Sequence, residues 1–345
     1  MTKATNQTDQ NVPGVFCISL DFEKYWGVHD VTAYQNVLEN FRRIDEVVDK
    51  LLEVFEKYET HVTWAMVGLL GVDEKSFLKD RRIPYVNQDY SPYPLDSEKF
   101  RGIPPEITFA GPQIEKILRT KGQELGSHTF SHYYVLEEGQ SEVHFREDLE
   151  AMGELGNKLN NAFKSIVFPR NQINYEYLGL CAEKGYLAFR GNQNNPYWSN
   201  SSYKKESFLK KFLRVVDAYF PISETRSFKL DNLPVKNGLV DIPASRFFRP
   251  ISGKKILEKS KLRRIKNEME RAARAREIYH IWWHPHNFTS DIEGHLIQLT
   301  EILEYRIELN DKYGFVSMNM KEIAEYVKNK SSYNSNGRAD DKSSF

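Results

Sequence analysis

Short runs of apolar and β-branched residues alternate along this chain with longer stretches whose apolar positions recur every three to four residues. The first run, residues 15–20, ends at Asp21 and reads as a strand. Over 36–58, Val37, Phe41, Ile44, Val47, Val48, Leu51, Leu52 and Phe55 keep a helical period with charges between them. Residues 61–67 read as a second strand, closed by Gly68. The pattern then predicts helices at 113–120, 142–159 and 175–184, and strands at 124–127, 165–168 and 186–190. A short strand at 239–242 is followed by a helix at 254–276, a strand at 277–283, a helix at 291–310, a strand at 314–318 and a last helix at 320–328. Strand–helix alternation of this kind argues for a parallel sheet, and its repeat count suits an α/β barrel better than an open sheet.

Two stretches break the rhythm. Residues 73–112 carry Pro84, Pro92, Pro94, Pro104 and Pro105 among Tyr, Asp and Ser, and residues 191–250 are also mixed. Long irregular excursions inside a domain are often rims or lids over a site. The polar ends, 1–12 and 329–345, read as disordered tails, leaving one barrel domain over 13–328.

Composition narrows the function classes. Lys plus Arg and Asp plus Glu are equal at 48 each, so nothing points to nucleic acid as a partner. The longest apolar run, 64–72, is too short for a membrane span. No basic-then-apolar leader precedes the first strand, which argues for a cytoplasmic protein. Cys17 and Cys181 fall in a predicted strand and helix and read as buried small hydrophobes. The 254–276 helix is rich in Lys and Arg. Its stripe of Leu262, Ile265, Met269, Ala272 and Ala273 favours an outer barrel helix over a surface for anionic lipid or phosphate.

Four polar clusters follow predicted strands. Asp21 and Glu23 lie two apart, so both carboxylates share one face, and one could bind a metal while the other works on water. In Gly126-Ser127-His128-Thr129-Phe130-Ser131-His132, the histidines at i and i+4 converge if a helical turn follows the strand. With a carboxylate from another strand end they make a three-ligand site with an open position, the pattern of a hydrolytic metal centre. His284, in Trp282-Trp283-His284-Pro285-His286-Asn287, suits a general acid at a strand end. Phe168-Pro169-Arg170-Asn171-Gln172 supplies a cation and two amides at another. Barrel active sites are assembled from such ends.

These motifs, in this order, resemble the polysaccharide deacetylases with a NodB homology domain (carbohydrate esterase family 4 and its relatives). Residues 18–23 match the family's first motif, 63–68 its second-strand pattern, 124–132 its metal-binding motif, and 281–284 its last motif with the acid histidine. The resemblance implies a distorted (β/α) barrel of about seven parallel strands. It implies a divalent metal, Zn²⁺ in most members, and removal of an N-acyl group from an amino sugar. By this resemblance Glu23, His128 and His132 are the metal ligands, Asp21 the base, His284 the acid, and Arg170 the cation that keeps Asp21 ionised. The second aspartate of the usual first motif is Phe22 here, so Glu23 takes its ligand place, with exchange of the two carboxylate roles as the alternative.

Trp26, Trp283, His286, Asn171 and Trp198 are the candidates for substrate contact, Trp198 with Tyr197 standing where the family has a tryptophan beside aspartates. The departures point to a branch resembling deacetylases of bacterial surface-glycan synthesis, acting on an amino-sugar glycan or a nucleotide- or lipid-linked sugar. The rivals are an allantoinase-like or cyclic-imide amidohydrolase on the same barrel, and a carbohydrate-binding protein without catalysis.

Overall fold

The two faces of the first strand already separate two environments. The computed structural model describes residues 12–72, 90, 102–192 and 226–336. In it β1 (Gly14–Phe22) is buried along its whole length. Alternation puts Phe16, Ile18, Leu20 and Phe22 on one face and Val15, Cys17, Ser19 and Asp21 on the other. The first set packs in a large apolar cluster with Ile44, Val47, Leu51 and Phe55, the layer between sheet and helices. Val15 and Cys17 belong to a smaller cluster with Ala65, Val167, Ala188, Val240, Ile242 and Ile278, which fills the inside of the barrel.

The remaining strands are β2 (Val62–Met66), β3 (Gln123–Ser127), β4 (Ser165–Ile166), β5 (Ala188–Gly191), β6 (Phe228–Lys229), β7 (Val235–Lys236), β8 (Leu239–Pro243), β9 (Arg246–Phe247), β10 (Glu277–Trp283) and β11 (Phe315–Ser317). The parallel order β10-β1-β2-β3-β4-β5-β8 is the curled wall of a NodB-like (β/α) barrel. The chain leaving β8 pairs as β9 with β10, bringing the far edge back to the first. β6 and β7 add antiparallel edges and β11 pairs with β1. The two-residue strands β6, β7 and β9 fall inside 191–250, where so short a pairing leaves no period to read. Residues 73–89 and 91–101 of the first irregular stretch lie outside the described residues.

The helices are α1 (Leu38–Phe41), α2 (Ile44–Lys57), α3 (Gly111–Arg119), α4 (Glu142–Leu159), α5 (Leu178–Glu183), α6 (Lys255–Ala275), α7 (Ile292–Tyr313) and α8 (Met320–Asn336). The helix expected over 36–58 is broken at Arg42 and Arg43, yet Phe41 and Ile44 both reach the core, so the apolar period runs through the break. On α6 the apolar stripe packs inward as expected. Two of its cations are buried with it, Lys261 on Glu258 at 2.6 Å and Arg264 on Glu268 at 3.0 Å. Cys17 and Cys181 are buried free thiols. Among the described residues no helix is long and apolar enough to cross a membrane.

The last helix closes the end of the barrel opposite the polar C-terminal strand ends. Met320, Ile323 and Ala324 enter the inner cluster, and two orphan amides at the start of α8 find buried acceptors. Met320 N donates to Thr63 Oγ1 at 2.8 Å and Lys321 N to Glu124 Oε2 at 3.0 Å, while Thr63 Oγ1 donates to the same Glu124 oxygen at 2.6 Å. Burial raises the Glu124 carboxyl above its ordinary pKa, against hydrogen bonds from Ser165, Thr63 and the Lys321 amide. Thr63→Val removes one acceptor and one donor at equal volume. It is expected to cost about 1–3 kcal/mol, the penalty for stranding buried polar groups, read as a lower denaturant midpoint at unchanged m-value.

Candidate metal centre and active site

Inward residues change from apolar to polar toward the C-terminal strand ends. On β1 the series runs Val15, Cys17, Ser19, Asp21, then Glu23 just beyond. On β10 it runs Ile278, His280, Trp282, then His284. Where these two strand ends meet the loop after β3, Glu23, His128 and His132 offer three ligand atoms within 4.8 Å of one another, all buried. His128 Nε2 and His132 Nε2 stand 3.3 and 3.2 Å from Glu23 Oε2. His128 Nδ1 meets the Val167 carbonyl at 2.8 Å, so Nδ1 carries the proton and Nε2 is free as a ligand. Two imidazoles and a carboxylate, with one ring already set in its ligating tautomer, fit a divalent metal of the zinc type.

The histidines do not sit on a helical turn. The segment after β3 is a loop, with Thr129 at φ 63° and His132 at φ 58°. These left-handed residues fold the chain back so that both rings face Glu23. Asp148 of α4 holds the loop, accepting from Phe130 N at 2.7 Å, Ser131 N at 2.9 Å and Ser131 Oγ at 2.6 Å. Burial raises the Asp148 carboxyl to about 6 against those donors.

Glu23 is set from its own side. Lys24, at φ 43°, turns inward and its Nζ reaches Asp45 at 2.7 Å and the carbonyls of Glu106 and Phe109 at 2.8 and 2.6 Å. Gly27 leaves room for the carboxylate: a Cβ there would stand 2.1 Å from Glu23 Cδ. Burial opposes the Glu23 charge, but His284, His128 and His132 outweigh it and hold its pKa well below the ordinary value.

Asp21 is gripped by Arg190 of β5, Nη1 to Oδ1 at 2.6 Å and Nη2 to Oδ2 at 2.8 Å. Burial pushes its carboxyl up, while Arg190, then His128 and His284, bring it below the usual carboxylate value. The cation expected on Asp21 was Arg170. That residue instead donates to Asp30 at 2.5 Å and stacks on Tyr134 at 4.2 Å, because its own φ of 54° aims it along the loop rim. Asn171 enters the site through Arg190, whose Nη2 donates to its Oδ1 at 2.9 Å.

His284 Nε2 lies 3.8 Å from Asp21 Oδ2 and 3.6 Å from Glu23 Oε1, and its side chain keeps 22 % exposure, so it can meet a substrate. His286 stacks on it at 4.7 Å and on Phe41 at 5.2 Å. Burial and the neighbouring His284 depress the His286 pKa to about 3.

Two expected substrate contacts are core residues. Trp26 is buried and its indole N–H donates to the Thr108 carbonyl at 2.7 Å. Trp283 points to the outer face of β10, stacked on Phe288 at 5.6 Å, as alternation from His284 requires. The ring on the site side is Trp282, packed on Phe247 at 4.7 Å and under the Arg190 guanidinium at 4.2 Å. Trp198 and Tyr197 lie outside the described residues. Arg190 was legible in principle: a cation sharing the inward face with Ala188 in a buried strand must have a partner across the barrel.

No family model matches the chain, and no curated protein matches it either. Solved structures do share its fold. A protein of Mycobacterium smegmatis described as a polysaccharide deacetylase superposes with TM-score 0.58 at 14% identity, over 96% of both chains. One from Pseudomonas aeruginosa with the same description gives TM-score 0.52 at 11% identity, over 90% of this chain and 89% of that one.

Two outcomes follow from this geometry. Gly27→Ala forces Glu23 off its position and is expected to weaken Zn²⁺ binding by about 10–100-fold, the usual cost of disturbing a ligand's support, in a competition titration. The pH profile has a definite sign. With His280 and His286 both depressed to about 3, the unfolded chain takes up protons first as pH falls below about 6.5. The stability they confer is present above that pH and is lost progressively down to about 3. Denaturation midpoints from pH 8 to 4 should fall with acid, and His286→Phe, which keeps the stack, should flatten the slope.

Proposed function

We propose that this protein is a metal-dependent N-deacylase acting on an acetylated amino sugar, with Glu23, His128 and His132 as ligands for Zn²⁺. The observation that carries the reading is the convergence of a three-ligand site, an ion-paired carboxylate and a partly exposed imidazole at one end of the barrel. The likeness in fold to structures described as polysaccharide deacetylases supports it, as does the order of the motifs.

When bound, the metal would polarise the acyl carbonyl and acidify a water at the same site. Asp21 takes the proton of the attacking water. Arg190 keeps its carboxylate ionised and fixes both of its oxygens, so the base is aimed before substrate arrives. The His284 Nε2 proton goes to the departing nitrogen, without which the C–N bond cannot break to a free amine. Asn171 and Trp282 hold Arg190 rather than the sugar. Phe247, edge-on to His284 at 6.0 Å, offers a half-exposed aromatic face beside the acid. The departures from the usual family motifs, Phe22 and Glu23 among them, support placement in surface-glycan synthesis.

The test is amine release from N-acetylglucosamine oligosaccharides and from UDP-N-acetylglucosamine by zinc-loaded protein. About one zinc per chain is expected, lost in His128→Ala. His284→Ala should keep the metal and lose about 10²–10⁴-fold in kcat. Metal binding with turnover only of cyclic ureides or imides would replace the sugar by a small cyclic amide. Sugar binding without turnover or metal would overturn the catalytic reading.

A further inference from the structure

Below the Asp21–Arg190 pair the barrel interior holds two more polar side chains that the reaction does not use. Ser19 and His280 are both wholly buried, one turn of the strand pattern beneath Asp21 and Trp282. Arg190 Nη1, besides holding Asp21, reaches Ser19 Oγ at 3.1 Å, and Ser19 Oγ meets His280 Nε2 at 2.9 Å. Three strands therefore contribute one continuous chain, from β10 through β1 to β5 and back to β1.

Its directions can be worked out from what each group is able to give. Arg190 has only donors, so Ser19 Oγ accepts from it. The serine hydrogen is then available to His280 Nε2 as acceptor. Burial, with the Arg190 charge next, depresses the His280 pKa to about 3, so the ring is neutral and has such a lone pair. Backbone carbonyls of Pro243 and Ile242 act to raise the ring's pKa against that depression, while Nδ1 itself is buried and makes no hydrogen bond. A leucine or valine at either position would fill the space, yet the chain buries two polar groups below its base.

We propose that Ser19 and His280 are positioning residues for the catalytic base: they fix the guanidinium of Arg190 from below, and through it the carboxylate of Asp21. A guanidinium anchored only by Asp21, Asn171 and the Trp282 face could roll about its Cδ–Nε axis and carry Asp21 with it. The Ser19 contact supplies the remaining constraint, and His280 orients the serine so that its lone pair, not its hydrogen, faces the cation. The inference rests on the deacylase reading for its consequence in turnover, but its geometry stands without it.

The experiment uses protein labelled with ¹⁵N-arginine and loaded with zinc. The Arg190 guanidinium signal is assigned by its loss in Arg190→Met, and its exchange with water is compared in wild type, Ser19→Ala, His280→Leu and His280→Gln. Exchange is expected to quicken about tenfold or more in the first two variants, one lost hydrogen bond being worth about that factor. His280→Gln, whose amide oxygen can take the serine hydrogen, should stay near wild type. On an N-acetylglucosamine tetrasaccharide, Ser19→Ala and His280→Leu should lower kcat about tenfold with KM within about twofold, and add nothing further in an Arg190→Met background.

An unchanged guanidinium signal in both variants, or losses of kcat that add fully to that of Arg190→Met, would overturn the proposal and leave Ser19 and His280 as packing. If wild type does not turn over the tetrasaccharide, the deacylase reading falls on that substrate, while the guanidinium signal still decides the positioning role.

Discussion

A carboxylate on the first strand and a guanidinium on the fifth meet across the mouth of this barrel, and both are almost fully withdrawn from water. Asp21 and Arg190 are paired through two hydrogen bonds, 2.6 and 2.8 Å long, with side-chain exposures of 4 and 0 %. Neither charge is tolerable there alone: leaving one partner of a buried pair uncompensated costs about 3–5 kcal/mol. That requirement ties β1 to β5 and obliges Ser19, Asn171 and Trp282 to complete the guanidinium's surroundings. It also leaves Asp21 ionised beside the histidines, which is the state a base needs.

The candidate metal site obeys a second constraint of the same kind. Glu23 is buried and acquires its charge compensation from three imidazoles rather than from a guanidinium. Everything behind it serves to keep it still. Lys24 turns away into Asp45 and the 106–109 carbonyls, Trp26 anchors on Thr108, and Gly27 leaves the carboxylate its space. On the other side Asp148 clamps the loop that presents His128 and His132. The residues that would hold the ion thus come from short, strained segments, while the residues that hold those segments come from the regular elements beneath.

The wall of the barrel was legible because it is repetitive. β10 spans the same residues that its apolar run indicates and α6 ends within a residue of its expected bounds, while the stripe expected as one helix over 36–58 is shared between α1 and α2. The pair spacing of Asp21 and Glu23, the two histidines of the third strand end, and His284 stood out for a related reason: period 2 and position after a strand suffice to aim them at one place. Trp283 was misread by one position along the same period, its neighbour Trp282 having the inward face. Arg170 was misread because a left-handed backbone at 54° redirects its side chain, and no residue pattern announces that angle.

By itself, then, the sequence determined the order of the main strands and helices and the polar strand ends, with Asp21, Glu23, His128, His132 and His284 on them, since these depend on local periodicity and on the chemistry of side chains. Which carboxylate is the ligand came from the family resemblance. Only the tertiary structure decided which cation faces Asp21, that the histidine loop closes through left-handed residues instead of a helical turn, and that Trp26 belongs to the core. The physical reason is separation. Arg190 and Asp21 lie 169 residues apart, and His280 and Ser19 261. Their meeting is set by the curl of the sheet, a property of all its strands together, and by which buried charge each of them is left to compensate.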